Sequence, residues 1–214
     1  MYNITLLSSF HIELGKCNSN ELYKIIEEIQ PEVIFEELSR DIFNMIYTER
    51  FPPQSLEAIT SKKYLKQYKI KHIPVDTCEK NEADFFNGYD IISNRSIQYT
   101  ELFKQQISLI GQHGYLFLNS ESHLELLDKM HIIEEDVLSD INDFKLSNSY
   151  KLEMNLHDRR ENKMLQNIYN YSKQYPYDRA LFICGAEHRN PLIKKIQEYE
   201  KKGKPNLNWS FYNN

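Results

Sequence analysis

The sequence predicts an α/β protein: a mostly parallel sheet flanked by helices, with a helical insertion before the fourth strand. Three observations carry this prediction. Short apolar runs alternate with stretches of helical periodicity, the order expected of a sheet covered on both faces. Val33-Ile34-Phe35 is a continuous apolar run rather than an alternating one, as in a strand buried on both sides. Ala180 to Cys184 is a second such run, broken by Gly185 and followed past Pro191 by an amphipathic stretch with Leu192, Ile193 and Ile196 on one side.

Taken in order, residues 3–9 are β-prone and form the expected first strand, with His11 directly after it. Residues 18–29 read as a helix. Asn18 or Ser19 can cap it, Glu21 sits in its first turn, and Leu22, Ile25, Ile26 and Ile29 repeat at the spacing of one buried face. Pro31 stops it, and the strand at 33–35 runs into Glu36 and Glu37. Residues 41–47 and 55–67 are expected as short helices around Pro52-Pro53. The third strand is expected at 71–76, ending in Asp76; Pro74 within it, which donates no ladder hydrogen bond, places the strand at an edge or starts it late.

Residues 82–148 show no strand pattern. Helical segments at about 82–111, 121–130 and 133–144 make this an insertion or lid within a single domain spanning 1–214, with breaks near Gly111 to Gly114 and at Met130-His131. One long helix is expected over 149–175, with Leu152, Leu156, Met164, Ile168 and Tyr171 as its buried stripe. The fourth strand follows at 179–184, its helix at 190–202, and residues 207–212 alternate as a last edge strand.

Composition bounds the function. A hydrophobic fraction of 41%, an aromatic fraction of 13%, and only six glycines and seven prolines support a packed core. The net charge of −5 argues against a bulk electrostatic grip on nucleic acid, so the Lys-Tyr stretches at 62–71 and 194–204 read as solvated helix faces. The three cysteines, Cys17, Cys78 and Cys184, form no CxxC pair, which suggests free thiols and a cytoplasmic setting. No apolar run approaches membrane-spanning length, and the N-terminus lacks a signal-peptide pattern. Neither a GxSxG elbow nor a P-loop is present. His72, His113, His123 and His131 have no partner motif and read as surface or capping residues.

The C-terminal ends of parallel strands share one edge, and ligands of open α/β sheets bind outside it. His11, Glu36, Glu37, Asp76, Glu187 and His188 all follow or end expected strands, so the topology should gather them. Arg160 lies on the apolar stripe of the long helix, where a guanidinium needs a carboxylate partner or an anionic ligand, or must reach water. His157 lies one turn before it.

LLSSFH (6–11), VIFEELSR (33–40), IPVD (73–76), RRENKMLQNI (159–168) and ALFICGAEHRNPLIKKI (180–196) together resemble the TraB/Tiki/erythromycin-esterase-like/ChaN-like superfamily of α/β proteins. Its pattern maps onto His11, Glu37, Arg160 with Glu161 and Met164, and Gly185 with His188. Ser8 stands where the first turn usually has glycine, and Arg159 where one branch has Glu. The resemblance implies, as in some members, hydrolysis of an ester or amide bond in a small-molecule or peptide substrate, with His11, Glu37, Arg160 and His188 catalytic; position alone puts Glu36, Asp76, His157 and Glu187 around the substrate. His11 and His188 with one or two carboxylates could also hold a divalent metal ion carrying water. The rival expectation is a non-catalytic module of the same fold that binds a ligand, haem or metal.

Overall fold

A computed structural model describes residues 2–48, 51–77, 86–203 and 207–213. It is an α/β protein built on one five-stranded, wholly parallel sheet in the order β3-β2-β4-β1-β5. The strands are β1 (Tyr2–Ser9), β2 (Val33–Ser39), β3 (Lys71–Asp76), β4 (Arg179–Gly185) and β5 (Leu207–Phe211). The sheet edges fall where the sequence indicates. β3, which contains Pro74, pairs only with β2, so the missing N–H faces no partner strand; β5 pairs only with β1.

Two apolar layers cover the sheet. On one face Leu7, Ile34, Leu181 and Ile183 pack with Leu22 and Ile26 of α1 (Ser19–Ile29) and Leu56 and Tyr64 of α3 (Leu56–Gln67). On the other, Ile4, Leu6, Phe35 and Phe182 pack with Met164, Leu165 and Ile168 of α8 (Phe144–Gln174) and Leu192 and Ile196 of α9 (Arg189–Lys201). Asn18 caps α1 as expected, its side chain accepting from the N–H groups of Asn20 and Glu21. Between β2 and α3 lies the short α2 (Arg40–Tyr47), with Ser39 as its cap.

The insertion consists of α4 (Tyr89–Arg95), α5 (Ile97–His113), α6 (Tyr115–Leu118) and α7 (Glu121–Ile141). Residues 82–85 of the expected first segment lie outside the described residues, as does Cys78. Two boundaries differ from expectation. α7 runs straight through Met130-His131, where no Gly or Pro interrupts the ladder and Met130 is packed in the core. α8 begins at Phe144, capped by Asp143 rather than at residue 149. The stripe of α8 also differs: Leu152 is 45% exposed, while Tyr150, Glu153 and Glu161 are buried. The first half of this helix therefore turns a partly polar face inward.

α6 docks the insertion on the sheet through Asn119. Its Oδ1 accepts from Ser8 N–H (2.8 Å) and its Nδ2 donates to Ser8 C=O (3.1 Å) at the end of β1. The buried Arg189 also donates to Asn119 Oδ1 (2.9 Å) and to its carbonyl (3.1 Å). No helix among the described residues is long and apolar enough to cross a membrane.

Candidate active site

β1 and β4 are neighbours, yet the chain leaves β1 toward β2 and leaves β4 toward β5, on the other side. The crevice beyond their C-terminal ends is the topological switch point of the sheet, where open α/β proteins bind ligands. Ser9 pairs with Gly185 at this point. His11 follows Ser9 by two residues and His188 follows Gly185 by three.

His11 sits at the centre of a three-residue turn closed by Ile12 N–H to Phe10 C=O (2.8 Å). Its φ of 65° lies in the left-handed region, a conformation that costs a non-glycine residue about 1–3 kcal/mol. The start of α3 holds it there. Leu56 N–H donates to the His11 carbonyl (2.9 Å), and the His11 main-chain N–H donates to Glu57 Oε1 (3.1 Å). The ring Nδ1 lies 3.3 Å from the same oxygen; the His11 side chain is 54% exposed and that of Glu57 only 5%. The Glu57 hydrogen bond raises the His11 pKa above the usual 6.5, overcoming the opposing effect of burial. Burial works against the Glu57 charge, but His11, Ser9 and a main-chain hydrogen bond together hold the carboxylate below its ordinary range.

With Nδ1 on Glu57, the other ring nitrogen points at Gly185. A Cβ built on Gly185 would stand 2.7 Å from His11 Nε2 and 3.5 Å from Glu37 Oε2. Glycine is needed here because the His11 ring packs so closely against it that a Cβ would collide with Nε2.

Glu37 is the hub of the site. Its Oε2 accepts from Gly185 N–H (2.6 Å), and its Oε1 accepts from Arg160 Nη2 (2.7 Å) and faces His188 Nε2 (3.1 Å). Arg160 also grips Asp76, Nη2 to Oδ2 at 2.7 Å and Nε to Oδ2 at 3.1 Å. The Arg160 charge is therefore neither buried alone nor spread to water; it ties β2, β3 and α8 together. His188 is clamped from its second nitrogen as well, Nδ1 lying 2.9 Å from Glu161 Oε1. Lys195 Nζ completes the chain, donating to Glu161 Oε2 (2.7 Å) and lying 2.8 Å from Asp158 Oδ1.

These contacts set the charges. Burial disfavours ionised Glu37, yet the charges of His188 and Arg160 and the Gly185 N–H pull its pKa down to about 2. Burial likewise disfavours protonated His188, but Glu37 and Glu161 raise it to about 9. At neutral pH His188 is thus an imidazolium donating through both nitrogens, and Glu37 is a permanent anion. Among the described residues both His188 nitrogens face carboxylates, whereas His11 is held in this way only through Nδ1.

The remaining expected residues fall in three places. Asp76 joins the site through Arg160. His157 meets the His188 ring edge-on, centroids 5.1 Å apart, and Glu187 lies 3.4 Å from His131 Nε2; both line an adjoining cleft. Glu36 is not brought to the site. Successive strand residues face opposite sides, so it points to the other face, where it accepts from Tyr47 OH (2.8 Å) and lies 2.6 Å from His72 Nε2. His72 is buried there, and His123 is buried beside Gln106 and Phe117, so neither is a surface residue. Cys184 is buried, which pushes its thiol pKa well up, as suits an inert core residue.

A divalent ion needs deprotonated donors aimed at one point. Both His188 nitrogens face carboxylates, and Glu37 is already shared by Arg160, His188 and Gly185 N–H. Among the described residues no group of three or more His, Cys, Asp and Glu converges as metal ligands. As paired, this donor set does not fit a metal held jointly by His11 and His188.

The fold and site define an open parallel α/β protein with a histidine–carboxylate–arginine centre at its switch point. A scan of family models, a search of curated proteins and a search of solved structures each find no match for the chain.

Proposed function

We propose that the protein hydrolyses an ester or amide bond, with His11 as general base. The observation that carries this reading is the placement of His11: strained backbone, Nδ1 fixed on buried Glu57, and Nε2 close against Gly185 beside Glu37. Such an ordered histidine–carboxylate pair fixes the tautomer and leaves Nε2 as the acceptor.

In this mechanism a water sits over Gly185 between His11 Nε2 and Glu37 Oε2. His11 takes one of its protons as its oxygen bonds to the substrate carbonyl carbon, and the carbonyl π electrons move to oxygen. The Glu37 carboxylate orients the water by accepting its second hydrogen. When the tetrahedral species collapses, the bond to the leaving alcohol or amine breaks and His11 returns the proton to it. Arg160 and His188 keep Glu37 ionised and aligned, and their positive charges offset the negative charge that develops nearby. Arg160 is thus first a positioning residue in this reading.

The test is a screen of ester and amide substrates with the wild type and with His11→Asn. Asparagine tolerates a positive φ, so the turn is kept while the base is lost. Turnover should fall by roughly 10²–10⁴-fold, the usual worth of a general base. Equal turnover in the variant removes His11 from the mechanism.

A further inference from the structure

Beside the site lies a cleft of about 700 Å³, within the size range of pockets for drug-sized molecules. It opens between α8 and the insertion helices, and it reaches the site through His157, Glu161 and Glu187. Its apolar and aromatic wall includes Tyr89, Tyr99, Phe103 and Met130.

The carboxylates in this wall are paired unevenly. Glu161 and Asp158 are met by Lys195, and Glu187 by His131. Glu134 and Glu153 are only 3% and 6% exposed, and among the described residues their hydrogen-bond donors are all neutral. Tyr99 and Tyr150 hydroxyls donate to Glu134 (2.9 and 2.8 Å). Tyr89 OH (2.9 Å) and Phe86 N–H (2.7 Å) donate to Glu153. Burial dominates at Glu134 and raises its pKa despite these bonds and the nearby His131. A buried carboxylate whose hydrogen bonds come only from neutral donors is costly.

We infer that this cleft binds the substrate by a cationic amine carried on an apolar body, the ammonium lying among Glu134, Glu153 and the faces of Tyr89 and Tyr99. An ammonium supplies the charge that the phenols cannot, and it gains from aromatic faces as well. The apolar body fills the Phe103–Met130 side, and the scissile carbonyl then extends past His157 toward Gly185. An anionic substrate would instead meet Glu134, Glu153 and Glu187, while Lys195 and His131 of the lining already face Asp158 with Glu161 and Glu187 respectively. This inference builds on the hydrolase reading for the identity of the bound molecule, but the charge selectivity of the cleft is measurable without turnover.

The experiment compares three probes of similar size by calorimetry: phenethylamine, phenethyl alcohol and hydrocinnamate. They are titrated into His11→Asn, which removes the proposed base and leaves the cleft intact. The ammonium should bind at least about tenfold more tightly than the alcohol, a difference of about 1.4 kcal/mol, and the carboxylate more weakly still. Glu153→Gln and Glu134→Gln, with folding checked by circular dichroism, should erase that preference. Equal binding of the three probes, preference for the carboxylate, or no binding at millimolar concentration overturns the inference. If either variant fails to fold, the wild-type cleft comparison decides alone. Ammonium selectivity without ester or amide turnover would sink only the hydrolase reading; turnover with indiscriminate binding would sink only this one.

Discussion

At the scale of single residues, the site depends on which groups share their protons. His188 and Glu37 hold each other ionised, and stability should follow both. The folded state keeps His188 protonated up to about 9 rather than 6.5, so its contribution is complete below pH 6.5 and disappears as pH rises through about 9. Glu37 contributes fully above pH 4.5, and its share is lost as pH falls through about 2. Denaturant melts across pH should show both flanks. His188→Ala, which leaves Glu37 and Glu161 facing an emptied space, should cost roughly 3–5 kcal/mol and flatten the alkaline flank. Gly185→Ala tests geometry instead of charge. Its methyl must displace His11 Nε2, a half-exposed ring end, so folding should survive while turnover is abolished. His11, Glu37, Arg160 and His188 were legible in the sequence because strand ends and a misplaced arginine are local signals. Glu57 was not: an acidic residue in the first turn of a helix usually answers to the helix dipole, and only the folded chain brings it to His11. Glu161 was visible only through the superfamily resemblance.

At the scale of elements, apolar periodicity and proline placement were enough for the five strands and for α1, α3 and α9. The long helices were harder. Nothing local stops α7 between Met130 and Ile141, and the buried face of α8 changes character along its length, so a search for an apolar stripe selects the exposed Leu152. The polar half of that face is what places Glu153, His157, Arg160 and Glu161 at the site and cleft. Glu36 shows the opposite limit. Its neighbour in sequence is the hub of the site, but the period of two in a strand sends Glu36 to the other face. The joint between insertion and sheet has its own test. Asn119→Ala leaves the buried Ser8 N–H and carbonyl without their partner, at a cost of roughly 1–3 kcal/mol for an unsatisfied group. Thermal unfolding should register that loss, and hydrogen exchange should quicken first in α6 and at the end of β1.

At the scale of the whole molecule, the strand order is what makes a site from scattered residues. The chain leaves β1 in one direction and β4 in the other, which opens the crevice, and α3, α8 and the insertion wall it in. In the proposed reading, the strand ends supply the reacting groups, and the insertion with α8 lines the cleft that takes the rest of the substrate. The central claim is that His11, tuned by Glu57, is the base. The pH dependence of kcat/KM in the wild type and in Glu57→Gln tests it most directly. The rate must fall as His11 is protonated, so the wild-type profile should have an acid limb with its midpoint above 6.5. Removing the Glu57 carboxylate takes away the main influence raising that pKa, so the limb should move to lower pH as the rate drops. An acid limb that stays in place in Glu57→Gln, or a profile with no limb near neutrality, would contradict the account.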